Sequence, residues 1–129
     1  MPFAVRPQVS LLRKFETGAT RDTDEGKPHF AAFTSAAVQL RFAQYMDKHR
    51  IQADGNLRDP DNWKKGIPIE AYFDSADRHF MDWKLHEEGT PELARDQDLE
   101  EVLCALYFNI QGALHELLKV KRDASKTPA

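Results

Sequence analysis

The stretch from Leu99 to Leu118 limits the possible folds more than any other part of the chain. Leu99, Leu103, Leu106, Ile110, Leu114 and Leu117 recur at three- and four-residue steps, which sets them in one row along a helix. Val102, Ala105, Phe108, Ala113 and Leu118 make a second row. A helix apolar over so much of its circumference is covered on two sides. Its expected span is Asp96 or Asp98 to Lys121, with an acidic start (Asp96, Asp98, Glu100, Glu101) and a basic end (Lys119, Lys121, Arg122) that both suit the helix dipole.

Two further helices are expected. One starts at Thr34 or Ser35, which can cap free N–H groups, carries Val38, Phe42, Tyr45 and Met46 at helical spacing, and ends near His49 or Arg50. The other runs from Pro68 to about Glu88, where Gly89 offers a C-cap, with Tyr72, Phe73, Ala76, Phe80 and Trp83 as its apolar face. The connection between them, residues 53–62, is dense in turn formers. Residues 1–33 read as an irregular segment broken by Pro2, Pro7, Gly18, Gly26 and Pro28, and residues 123–129 as a frayed, disordered tail. The stretch 17–27 is small and charged; a loop that long is either a disordered connection or functional. The expected class is therefore all-α: three main helices over residues 34–122 behind a long irregular N-terminal segment. Three helices cover the last one only partly, so the bundle is expected to be completed by homodimerisation.

A chain of 129 residues fits one domain, and a net charge of −3 provides no basic field for nucleic acid. One cysteine, Cys104, permits no internal disulfide framework, and it reads as a small core residue. No apolar run approaches the ~20 residues of a membrane span. Arg6 and Pro7 interrupt the pattern a signal peptide needs, so the expected location is the cytoplasm.

Chemistry concentrates between Asp61 and His86. Ser75, Arg78, His79, Asp82 and His86 fall on one side of the second helix at steps of three and four. Arg78 can fork onto a phosphate, His79 can exchange a proton or ligate a metal, and Asp82 can hold a divalent cation or fix the histidine. The same spacing is also met by an ordinary Arg78–Asp82 ion pair on a solvated face. Glu70, Asp74 and Asp77 repeat in the same way; carboxylates at that spacing can hold Mg²⁺, but they read here as solvated surface. Asn109 sits in the most apolar run of the third helix, where a buried amide either bonds nearby backbone or faces a ligand. The chain has no Walker A sequence, no GxGxxG, no HExxH and no nucleophile elbow.

Four pieces recur in a particular order: Phe15-Glu16-Thr17-Gly18-Ala19-x-Arg21-Asp22-x-x-x-Gly26-Lys27, Asn62-Trp63-x-x-Gly66-Ile67-Pro68, Ser75-Ala76-x-Arg78-His79, and Ala105-x-x-x-Asn109. This order resembles the phage dATP/dGTP diphosphohydrolase N-terminal domain family, over roughly residues 13–118. The resemblance implies Mg²⁺-dependent hydrolysis of a purine deoxynucleoside triphosphate to monophosphate and pyrophosphate, in phage nucleotide metabolism within the infected cell. It implies an architecture like that of the all-α NTP pyrophosphatases. Arg78 and His79 match the family's Arg-His pair, and with Asp82 they are the catalytic candidates. Arg21 and Lys27 match the loop and are candidate phosphate clamps. Asn62 and Trp63 match the turn, Trp63 either stacking on a base or anchoring the turn, and Asn109 matches the third-helix Asn. Asp82 and Glu101 are the candidate ligands for Mg²⁺ (or Mn²⁺). The chain departs from the all-α pyrophosphatase pattern at Cys104, where an acidic residue is usual, and at Glu100 and Glu101, near which many relatives have a histidine. Two other readings follow: a non-catalytic protein that sequesters a nucleotide, and a helical inhibitor of a host protein.

Overall fold

A computed structural model describes residues 12–126. The Arg6-Pro7 break and the last three residues of the expected tail lie outside the described residues. Two compact units divide the chain, one up to Ala36 and one from Ala37.

The first unit contains β1 (Leu12–Lys14) and β2 (Thr20–Asp22), paired antiparallel with Leu12 opposite Asp22 and Arg13 opposite Arg21. The Phe15 N–H donates to the Ala19 carbonyl at 2.9 Å, and Gly18 turns the chain at a φ of +89°. Over residues 12–22 this hairpin stands where the sequence predicts irregular chain. The glycine read there as a breaker is the turn residue, and strands of three residues are too short to show alternation. A second turn closes with the Lys27 N–H on the Asp24 carbonyl, before the one-turn helix α1 (Phe30–Phe33). The Thr34 hydroxyl donates to the Phe30 carbonyl at 2.7 Å, ending α1.

The chain then enters α2 (Ala36–Lys48), followed by a tight loop, α3 (Ile69–Glu87) and α4 (Leu99–Lys126). The end of α3 is set by Gly89, at a φ of +83°: its N–H donates to the His86 carbonyl and that of Thr90 to the Leu85 carbonyl. This Schellman pattern satisfies carbonyls the helix would otherwise leave open. The Asp98 side chain caps α4 by accepting the Glu100 N–H at 2.9 Å. The helix continues past the expected end at Lys121 to Lys126, through the first residues of the expected tail. Among the described residues, no helix is long and apolar enough to cross a membrane.

The core of the second unit lies between α3 and α4, with Phe42 packed edge-on against Tyr107 from α2. Its buried apolar side chains are Phe42, Tyr72, Ala94, Val102, Ala105 and Ala113. The α4 face turned inward is thus the row of small residues, joined by Gly112, which meets the Tyr72 ring. Small residues let the two backbones approach closely, and the leucine row is left outward. Leu103, Ile110, Leu114 and Leu117 are 42–57% exposed. On α3 the expected apolar face is likewise turned: Tyr72 is buried, whereas Phe73 is 52% and Phe80 44% exposed. The inward side of α3 carries Ser75, His79, Asp82 and His86 instead. Polar side chains can take that position because each of the last three finds a partner in the segment after Gly89.

Candidate functional site

Asp82, Glu101 and Asn109 are buried polar residues in this small core. Each is a cost unless its bonds are met, so the partners of each show what the core was built around.

Asp82 is held by Arg95, whose Nη2 and Nε lie 2.7 and 2.9 Å from Oδ2 while its backbone N–H donates to Oδ1 at 3.3 Å. Burial pushes the Asp82 carboxyl up, but the Arg95 bonds outweigh it and hold the group below its ordinary value. The partner is Arg95 and not Arg78: Arg78 is exposed and makes no ion pair among the described residues. The five-residue stripe therefore separates. Ser75, His79, Asp82 and His86 face the core, and Arg78 stands beside them in solvent.

The Arg95 Nη2 also lies 3.5 Å from His79 Nδ1. Guanidinium can only donate, so Nδ1 accepts and the proton of the neutral ring sits on Nε2. Burial, and then the charge of Arg95, lower the pKa of His79 below 6.5, against a weaker upward pull from Asp82. At neutral pH His79 is an uncharged donor through Nε2.

Glu101 is bound by Lys48 and by Arg41 Nη2 at 3.1 Å, with His49 Nε2 at 3.7 Å. The Lys48 bond lowers its pKa most, Arg41 adds to it, and burial opposes both. Cys104, one turn on, is a half-buried thiol pushed up by burial. Nothing there activates it as a nucleophile.

The buried Asn109 amide donates to the Ala105 carbonyl at 2.8 Å, which fixes its orientation and leaves Oδ1 as an acceptor with no bond among the described residues.

A cavity of about 840 Å³ opens in the second unit against these residues. Tyr45, Trp63 and Phe108 supply aromatic surface, and Asn62, Ser75, His79 and Asn109 supply polar groups. Arg50 and Arg58 bring positive charge, His49 an imidazole, and Asp47 and Asp59 carboxylates. The wall that carries the arginines is a loop folded tightly on itself. Arg58 N–H donates to the Arg50 carbonyl at 2.8 Å, Ile51 bridges to Leu57, and the Asp54 side chain accepts the Asn56 N–H. Arg50 is tied to Asp47 at 3.2 Å, and Asp59 to Lys65 at 3.5 Å. Arg58 has no carboxylate partner among the described residues; one nitrogen donates to the His49 carbonyl at 3.1 Å. Trp63 is half-buried, edge-on to His115 at 4.8 Å and to Phe108 at 6.2 Å, so it anchors the turn and lines the cavity at once. Burial pushes Tyr45 up to about 12, which keeps its hydroxyl protonated.

Of the residues the sequence singled out, His79, Asn62, Trp63 and Asn109 thus line one cavity. Asp82 supports His79 through Arg95, and Arg78 lies outside the lining. Arg21 and Lys27 belong to the first unit, where Arg21 is exposed on β2 and Lys27 follows the second turn. Asp82 and Glu101 do not fit together as a metal site. Their oxygens are engaged by Arg95, Lys48 and Arg41, and among the described residues no group of three or more His, Cys, Asp or Glu side chains is placed to hold a metal ion. Sequence spacing missed Arg58, His49, Tyr45 and Arg95. Each lies in a loop or on a helix distant in sequence from the motif it serves, and only the dense turn signals of residues 53–62 hinted that a shaped wall was there.

The pKa directions predict a two-step acid response. A folded His79 below 6.5 means that the unfolded chain takes up that proton first, so stability falls as pH drops from about 6.5. Asp82, Glu101 and Glu116 are all lowered, so their contribution is present above about pH 4 and lost as pH falls through their folded values. Urea midpoints measured across this range should show both losses, and His79→Gln should abolish the first while leaving the second.

Comparison with protein-family models, curated proteins and solved structures found no match to this chain.

Proposed function

We propose that the chain binds a nucleotide, a purine deoxynucleotide by the motif order, in the cavity of its second unit. The observation that carries this reading is the convergence of aromatic rings, side-chain amides and an arginine with no carboxylate partner among the described residues in a space of about 840 Å³. That volume is of the size that small ligands occupy. Base faces stack on Trp63 or Tyr45, a contact of about 1–3 kcal/mol per base. The donor at His79 Nε2 and the acceptor at Asn109 Oδ1 match the donor and acceptor groups on a base edge. Arg58 offers its remaining N–H groups to a phosphate, which guanidinium binds in a fork.

Hydrolysis to monophosphate and pyrophosphate with Mg²⁺ is the second reading, favoured by the motif order. The carboxylates lining the cavity are Asp47 and Asp59, both exposed and held only by surface ion pairs. Such pairs are weak, about 0–1 kcal/mol, and either carboxylate can leave its partner. Asp82 and Glu101, by contrast, would have to give up buried ion pairs.

The two readings separate in two assays. In a Trp83→Phe background, Trp63 fluorescence should change on titration with dATP or dGTP and not with inorganic phosphate. Pyrophosphate release in the presence of Mg²⁺ would establish turnover; binding without release would leave the sequestering role. An unchanged Trp63 signal together with no pyrophosphate release across purine and pyrimidine nucleotides would contradict both.

The expected homodimer is also proposed. Its support is the outward apolar row of α4, which the other helices of the second unit leave open. Its test is a doubled mass by light scattering.

A further inference from the structure

The outward row of α4 has a stricter pattern than general amphipathicity requires. Leu103, Tyr107, Ile110, Leu114 and Leu117 follow one another at steps of four, three, four and three, and each is at least 40% exposed. That alternation is the 3.5-residue period of a helix–helix seam. It spans about 21 Å at 1.5 Å per residue. The opposite side of the same helix, Val102, Ala105, Asn109, Gly112 and Ala113, is the buried face. At Tyr107 the Phe42 ring of α2 touches the flank of the row.

Charge along α4 decides between partners. Asp96, Asp98 and Glu100 gather at its start, and Lys121, Arg122 and Lys126 at its end. Lys121 and Lys126 make no ion pair among the described residues, while Glu100 and Asp98 share Arg41. The helix is thus complementary to itself only when reversed. A parallel pair would set acid on acid and base on base, and would align the helix dipoles.

We propose that α4 pairs antiparallel with α4 of a second copy of this chain along the Leu103–Leu117 row, with Glu100 of each copy near Lys121 of the other. The contact uses the same patch on both copies, so it closes as a two-fold dimer and does not propagate. The proposal rests on the homodimer reading above and adds its surface and direction.

The test uses full-length chain with Cys104→Ala, so that added thiols are unique, and two further variants, Leu103→Cys and Leu117→Cys. A bis-maleimide too short to span the length of the seam, adding one cysteine thiol across each of its double bonds, should give a covalent dimer from an equimolar mixture of the two variants. Each variant alone should stay uncrosslinked. Crosslinking of each variant alone would mean a parallel pair and overturn the proposal. A doubled mass with no crosslink in any sample would overturn the seam but leave the dimer standing on another surface. A single-chain mass would overturn both.

Discussion

Gly112→Ala should lower the stability of the chain by about 2 kcal/mol net, a fall in Tm of roughly 7 °C. Gly112 lies in the middle of α4, where alanine would ordinarily gain about 1 kcal/mol in helix propensity. Here a Cβ would fall inside contact distance of three atoms of the Tyr72 ring, which is only 2% exposed and has no room to withdraw. Forcing a methyl into a filled core costs about 1–3 kcal/mol and occasionally more, so the clash outweighs the propensity gain. Urea unfolding measures the loss. Because the clash is with one side chain, Gly112→Ala combined with Tyr72→Leu should cost less than the sum of the two single changes. Strict additivity would mean that the α3–α4 approach at this point is not what the structure describes. Tyr72→Phe is the informative control: the Tyr72 hydroxyl is buried without a partner, so its removal should be neutral or mildly stabilising.

The second large effect is expected at Arg95. Arg95→Met leaves the Asp82 carboxylate, with 7% of its side chain exposed, without its main cation. Breaking a fully buried pair costs about 3–5 kcal/mol; Arg95 is itself half exposed, which brings the expected loss to about 2 kcal/mol. The change also has a signature that general destabilisation lacks. Removing the neighbouring positive charge while Asp82 stays should raise the pKa of His79, readable by NMR titration of its ring. The Asp82 pKa should rise with it. Adding Asp82→Asn to Arg95→Met should recover much of the stability, because no uncompensated charge then remains. A His79 pKa that does not move in Arg95→Met would show that Arg95 does not set the ring's protonation.

These two positions also show what was legible in the sequence. Helix ends were readable because their signals are local: Gly89 sits one residue past the cap of α3, and Asp98 immediately before α4. The orientation of the helices was not. Periodicity places Tyr72, Phe73 and Phe80 on neighbouring sides of α3, but which side turns inward depends on what α4 presents. There the small residues Ala105, Gly112 and Ala113 prevail over the leucines because they allow close approach. The polar stripe of α3 was found, and its meaning was not. Spacing offered Arg78 as the partner of Asp82, whereas the true partner lies 13 residues on, beyond the Gly89 turn. The hairpin of residues 12–22 escaped detection because its strands are too short for a pattern. Of the candidate site, the motif residues Asn62, Trp63, His79 and Asn109 were legible. The cationic wall with Arg58 was not, since an arginine in a turn looks like any surface charge.

That wall gives the central claim its most direct test. Titration calorimetry with dATP or dGTP should show binding at one site per chain, weakened at least about tenfold by Arg58→Ala, which corresponds to about 1.4 kcal/mol. Asn109→Ala should weaken nucleotide binding without altering any response to inorganic phosphate. No measurable heat with any nucleotide, or binding indifferent to both substitutions, would contradict the cavity as a nucleotide site.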